Sequence, residues 1–139
     1  MNHIVLLPVF VQITLTFVLA LWMGGARFLA VRSRAVRPKD IVLGQPAWPA
    51  RVTQIDRAYH NQLELPLVFY ALAAFVLVSG VATATFVWME WVFVALRLVH
   101  AFIHVTSNHL LARFLAFASG VFVLLAMWIW FAARLYGAI

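Results

Sequence analysis

The chain contains no cysteine and very little charge. Of its 139 residues, 10% are charged and only four are Asp or Glu, whereas 66% are hydrophobic and the mean hydropathy is +1.01. The lack of cysteine excludes a small secreted domain held by disulfides, and the abundance of apolar residues excludes a disordered tail. A soluble domain of this size could not cover so much apolar surface with so few charged side chains. The composition therefore predicts an integral membrane protein.

Four continuous apolar stretches are each long enough to cross the hydrocarbon core, which takes about 20 residues of helix. They cover about residues 4–31, 49–80, 85–108 and 111–136. Continuous runs, rather than alternation with a period of two, favour helices over a β-barrel. The first stretch is too long for the apolar part of a signal peptide, so we expect it to be retained. The sequence predicts an all-α fold: one four-helix membrane domain over residues 1–139 with antiparallel up-and-down topology.

The basic residues predict an orientation in the membrane. Seven of the ten surround the first connection: Arg27, Arg32, Arg34, Arg37, Lys39, Arg51 and Arg57. Cytoplasmic loops carry such an excess, so we expect this connection in the cytoplasm and both termini on the other side, in a bacterial inner membrane. Because the basic residues flank a span, contact with anionic lipid explains the net charge of +6 better than nucleic-acid binding does.

Polar residues inside the second predicted helix mark a candidate site. Arg57, Asn61 and Glu64 have the spacing i, i+4, i+7, which places them on one face of a continuous helix. Pro66 removes a backbone donor and predicts a bend there. Lipid does not tolerate such groups, so they must face protein or water.

The third predicted helix carries a matching polar face. It is formed by Arg97, His100, His104 and Asn108, with Glu90 two turns earlier on the same face. If the two helices are neighbours, their polar faces form a cavity open to the cytoplasm. Its cations outnumber its carboxylates, which favours an anionic ligand. The structural alternative is that these residues only pair with one another and hold the helices together.

Both polar faces resemble the MAPEG family, the membrane-associated proteins of eicosanoid and glutathione metabolism. The family's second helix has the pattern Arg-Ala-x-x-Asn-x-x-Glu followed by Pro, and this chain has Arg57-Ala-Tyr-His-Asn61-Gln-Leu-Glu64 followed by Pro66. The family's third helix has the pattern Arg-x-x-(Tyr or His)-x-x-x-Tyr with a further Arg. This chain reads Arg97-Leu-Val-His100-Ala-Phe-Ile-His104, with Arg113 further on. The resemblance covers essentially the whole chain.

The resemblance implies a homotrimer that holds glutathione at its subunit interfaces, close to the cytoplasmic face, and acts on lipophilic small molecules as a transferase or peroxidase. The residues it would assign to glutathione binding are Arg57, Asn61, Glu64, Arg97, His100 and His104. It makes Arg113 the candidate catalytic residue, because a nearby guanidinium lowers the pKa of a thiol and stabilises its thiolate. No metal site is expected.

Two other functions stay open. Leu65 and His104 stand where many members of the family have tyrosine, which favours a non-catalytic lipid-binding or assembly subunit on the same fold. His100 and His104 lie one turn apart, and His60 could face them across the pair of helices. Two such histidines are the ligands that a haem in a helical membrane bundle needs.

Overall fold

The computed structural model describes residues 2–44 and 47–137, and this part of the chain contains helices and no strand. A short 3₁₀ turn at Pro38–Asp40 lies in the first connection. The α-helices are α1 (Asn2–Arg32), α2 (Ala50–His60), α3 (Leu65–Ser79), α4 (Ala84–Val105) and α5 (Leu110–Leu135).

The helices provide four stretches that are long and apolar enough to cross a bilayer. These are His3–Arg32, Ala50–Ser79, Ala84–Val105 and Leu110–Leu135. Large apolar side chains such as Leu21, Trp88 and Phe122 are exposed on the outside of the bundle, as lipid contact requires. The prediction of an all-helical integral membrane protein with four spans is confirmed.

The second span differs from the sequence prediction of one bent helix. It consists of two helices, α2 and α3, separated by a turn over residues 61–64. Glu64 has φ −96° and ψ −92°, outside the helical region, and Pro66 lies in the first turn of α3. Proline is favoured there because the first turn needs no backbone donor from it. Arg57, Asn61 and Glu64 are therefore not three positions on one continuous helical face.

The main apolar core surrounds the N-terminal half of α4. Helix α4 packs against α1, α2 and α5, and the rings of Phe69 and Phe93 stack with centroids 4.7 Å apart. The largest fully buried side chains of this core are Phe69, Leu72, Phe86, Phe93 and Met127. This core ends near Val94. Beyond it, α4 contributes Ala101 and Val105 to a smaller apolar cluster with Leu19 and Ala58, and it buries the polar side chains of Arg97, His100 and His104.

A buried amide pair joins α1 to the turn after α2. Gln12 donates from Nε2 to Oε1 of Gln62 at 2.9 Å, and both side chains are fully enclosed. Replacing either glutamine alone by leucine should lower the free energy of unfolding by about 1–3 kcal/mol, because the other amide loses its partner. Replacing both should recover most of that loss, since no buried amide is left unpaired.

Thermal unfolding of the two single variants and the double variant in detergent measures this coupling. If the loss of stability in the double variant equals the sum of the two single losses, the two amides are not energetically coupled.

Candidate functional site

A cavity of about 360 Å³ opens where α2, α4 and α5 meet. Its polar lining consists of Arg57, His60, Asn61, Glu64, His100, His104 and Arg113. Its apolar lining comes from α5 and consists of Leu110, Phe114 and Phe117. The cavity therefore has a cationic side and an apolar side.

The structure brings six of the seven predicted site residues to this one cavity. The turn after α2 allows Asn61 and Glu64 to reach the same space as Arg57, although no continuous helix connects the three. His100 and His104 reach it from successive turns of α4, and Arg113 from the first turn of α5. Their roles in binding stay predictions.

Arg97 is the predicted site residue that does not line the cavity. Its side chain is fully buried, and Nη2 donates to the backbone carbonyl of Asn61 at 2.7 Å. Within residues 2–44 and 47–137, its Nε and Nη1 have no hydrogen-bond partner. Arg97 therefore lies behind the cavity wall, where it holds the turn between α2 and α3 and adds positive charge.

The two histidines of α4 are almost completely buried. The rings of His100 and His104 have centroids 5.7 Å apart, and His100 also packs on Phe117 at 5.8 Å. In the described part of the chain, neither Nδ1 atom has a partner. His100 and His104 line the cavity from α4, and His60 lines it from α2, so the cavity gathers imidazoles from two helices. Ligation of a haem by this set stays a prediction.

The acidic residues leave the cavity with an excess of positive charge. Asp56 pairs with Arg27 at 2.5 Å and Asp40 with Arg37 at 2.7 Å, both away from the cavity lining. Glu64 is the one carboxylate among the lining residues, and it makes no ion pair within the described residues. Three guanidinium groups lie close enough to His104 to interact with it electrostatically: those of Arg57, Arg97 and Arg113. Three guanidinium groups against one carboxylate favour an anionic ligand.

A smaller polar chamber of about 250 Å³ adjoins the cavity beside the end of α4. Gln54 lines it and donates to the backbone carbonyl of His104 at 2.7 Å, and Arg51 donates to that of Val105. These donors from α2 satisfy carbonyls that the end of α4 leaves without helical partners. On the other side of the chamber, Arg113 donates from Nη1 to Oδ1 of Asn108.

Sequence reasoning missed the apolar wall of the cavity. Leu110, Phe114 and Phe117 have the spacing i, i+4, i+7 on α5, so helical periodicity alone places them on one face. An apolar hollow of about 710 Å³ shares Leu110 and Phe114 with the cavity. The site therefore joins a polar compartment to an apolar one.

Glu90 lies outside the cavity, within the apolar half of α4. Its side chain is fully buried, and neither carboxylate oxygen has a hydrogen-bond partner in the part of the chain that the structure describes. Burial of a polar group without a partner is destabilising. Replacing Glu90 by leucine should therefore raise the free energy of unfolding by about 1–3 kcal/mol.

Thermal unfolding measures this gain. The control is Asp40→Asn, at a partly exposed ion-paired residue, which should change stability by less than about 0.5 kcal/mol. A less stable Glu90→Leu variant would mean that the carboxyl group has a partner in the assembled protein.

Fold and cavity together define a class: a helical membrane protein with four spans and a cationic pocket between its helices. The MAPEG family model matches residues 5–133, so the chain belongs to the MAPEG family. No curated protein and no solved structure matches the chain.

Proposed function

We propose that this MAPEG protein binds glutathione in the cavity between α2, α4 and α5 and transfers it, as the thiolate, to lipophilic substrates or uses it to reduce them. The observation that supports this most strongly is the excess of positive charge at the cavity. Arg57 and Arg113 line it, Arg97 lies directly behind it, and Glu64 is the only carboxylate facing them among the described lining residues.

The charge of the proposed ligand matches this excess. Three guanidinium groups and one carboxylate leave two uncompensated positive charges, counting the histidines as neutral. Glutathione with an ionised thiol carries two carboxylates, a thiolate and one ammonium group, a net of two negative charges. Glu64 is then available for the ammonium group, and the arginines for the carboxylates and the sulfur.

Arg113 is the group we assign to the sulfur atom. A free thiol has a pKa of about 8.5 and is mostly protonated at neutral pH. A guanidinium beside the sulfur favours the thiolate, which is the nucleophile, and the proton leaves to water. The apolar wall of Leu110, Phe114 and Phe117 would hold a lipophilic electrophile that arrives from the bilayer. In transfer, the sulfur forms a bond to the electrophile as the leaving group departs; in reduction, two molecules of glutathione supply the two electrons and are oxidised to the disulfide.

We also propose the arrangement in the membrane that the family resemblance implies. The four spans alternate in direction, with the basic first connection in the cytoplasm and both termini on the other side. Three copies assemble as a homotrimer, and the cavity lies near the cytoplasmic face.

Calorimetric titration of the detergent-purified protein with glutathione tests the proposal. We expect saturable binding to the wild type and at least tenfold weaker binding to Arg57→Ala, since charge-assisted hydrogen bonds contribute about 1.5–3 kcal/mol. Arg32→Ala is the matched control, because it removes an exposed guanidinium that does not line the cavity. No heat of binding at millimolar glutathione would rule the proposal out.

The second candidate function is a non-catalytic lipid-binding subunit. The large apolar hollow next to the cavity favours it, because an acyl chain fits such a surface while an anionic headgroup fits the cationic cavity. The ultraviolet absorbance of a thiolate separates the two candidates. If the absorbance appears when glutathione is added, the cavity activates the thiol; binding without it favours the non-catalytic subunit.

A further inference from the structure

We infer that Asn108 is a positioning residue that holds the guanidinium of Arg113 at the cavity, an inference that rests on the proposed function. Asn108 lies in the short connection between α4 and α5, outside both helices. It is also part of the lining of the smaller polar chamber, where Arg113 and Arg57 are its charged neighbours.

The backbone of Asn108 adopts a conformation that few residue types accept. Its φ is +51°, in the left-handed region, where Asn is tolerated and most other side chains except Gly are strained. Its backbone N–H donates to the carbonyl of Ile103 at 2.7 Å, which closes the turn over the end of α4. This turn fixes the position of the Asn108 backbone and therefore the direction of its side chain.

From that position, Oδ1 of Asn108 accepts a hydrogen bond from Nη1 of Arg113. Arginine has a long side chain with considerable rotamer entropy, and one fixed acceptor restricts it to fewer orientations. The restricted guanidinium keeps its remaining N–H groups for a ligand, and Arg113 lines both the cavity and the smaller chamber.

The neutrality of the amide is essential to this role. Asn108 orients Arg113 without opposing its charge, whereas a carboxylate at the same position would form an ion pair with it. The positive charge next to the sulfur would then be compensated by the protein rather than by the thiolate. The other titratable or charged groups that face Arg113 are Arg57 and His104 in both compartments, with His60, His100 and Glu64 in the cavity.

Two variants of the full-length protein separate orientation from charge. Asn108→Gly keeps the left-handed backbone and removes the acceptor. Asn108→Asp keeps the acceptor and adds a negative charge. For each variant, the pH midpoint of thiolate formation by bound glutathione is read from its ultraviolet absorbance, and the dissociation constant of glutathione from calorimetry.

For Asn108→Gly, we expect the midpoint to rise by about 0.5–1 pH unit, with affinity within about threefold of the wild type. For Asn108→Asp, we expect a larger rise, because the carboxylate neutralises Arg113. A residue with only a structural role would change thermal stability or affinity and leave the midpoint where it is.

The positioning role would be overturned if the pH midpoint of thiolate formation in Asn108→Gly equalled that of the wild type. It would also be overturned if the midpoint in Asn108→Asp were lower than that of the wild type. If one variant fails to fold, the other decides, because both residue types accept the left-handed conformation. If the wild type does not bind glutathione at all, the proposed function fails instead, so the two failures are distinguishable.

Discussion

Replacing Arg113 by alanine is expected to lower glutathione-dependent turnover at pH 7 by about 30-fold, because a thiol that returns to a pKa of about 8.5 is only about 3% thiolate at that pH. Glutathione affinity should fall by less than about tenfold, because Arg57 and the other polar lining residues remain. The physical reason is that Arg113 acts on the sulfur, whose charge changes, whereas the carboxylates of the ligand are charged throughout. Turnover of a lipophilic aryl halide and calorimetric binding measure the two quantities.

Arg113→Lys provides the matched variant for this prediction. It keeps the positive charge and loses the planar group with several donors, so part of the turnover should return. An equal loss of affinity and turnover in Arg113→Ala would show instead that this arginine is a binding residue.

Replacing Arg97 by methionine is expected to separate stability from function. The buried guanidinium makes one hydrogen bond, to the carbonyl of Asn61, and two of its nitrogens have no partner among the described residues. An incompletely paired charge in the interior is destabilising, so we expect an unchanged or higher melting temperature in Arg97→Met. Glutathione affinity should nevertheless fall by about 10–100-fold, or about 1.4–2.7 kcal/mol.

The expected loss of affinity has two causes. Removing Arg97 reduces the positive charge behind the cavity, and it releases the turn that places Asn61 and Glu64. Gly120→Ala is a useful control, because its new Cβ would lie 4.0 Å from Cδ of Arg97, an ordinary contact that leaves the guanidinium in place. A lower melting temperature with unchanged affinity in Arg97→Met would mean that this arginine is purely structural.

The four spans could be predicted from the sequence because hydropathy depends on composition over some 20 residues and not on particular contacts. The gathering of polar side chains in one cavity was predictable for a related reason: such groups in a membrane span must face protein or water, and Arg57 and His104 both line the cavity. Membership of the family follows from the same residues together with the match over residues 5–133.

The details that escaped prediction depend on tertiary contacts. The turn over residues 61–64 is held by Arg97, which is 36 residues further along the chain than Asn61. The left-handed backbone of Asn108 and its bond to Arg113 depend on how α4 ends and α5 begins, which periodicity does not define. Only the apolar wall on α5 had a readable signal, in the regular spacing of Leu110, Phe114 and Phe117.

The interruption between α2 and α3 also has a mechanical consequence. A continuous 30-residue helix would transmit any tilt at one end of the span to the other, but here an 11-residue segment is joined to a 15-residue segment through a non-helical turn. Helix α3 is anchored in the apolar core by Phe69, Leu72 and Val76, whereas α2 carries Arg57 at the cavity. The turn therefore allows the two halves of this span to be fixed to different parts of the bundle: α3 to the apolar core, and α2 to the end of α4, where Gln54 and Arg51 donate to backbone carbonyls.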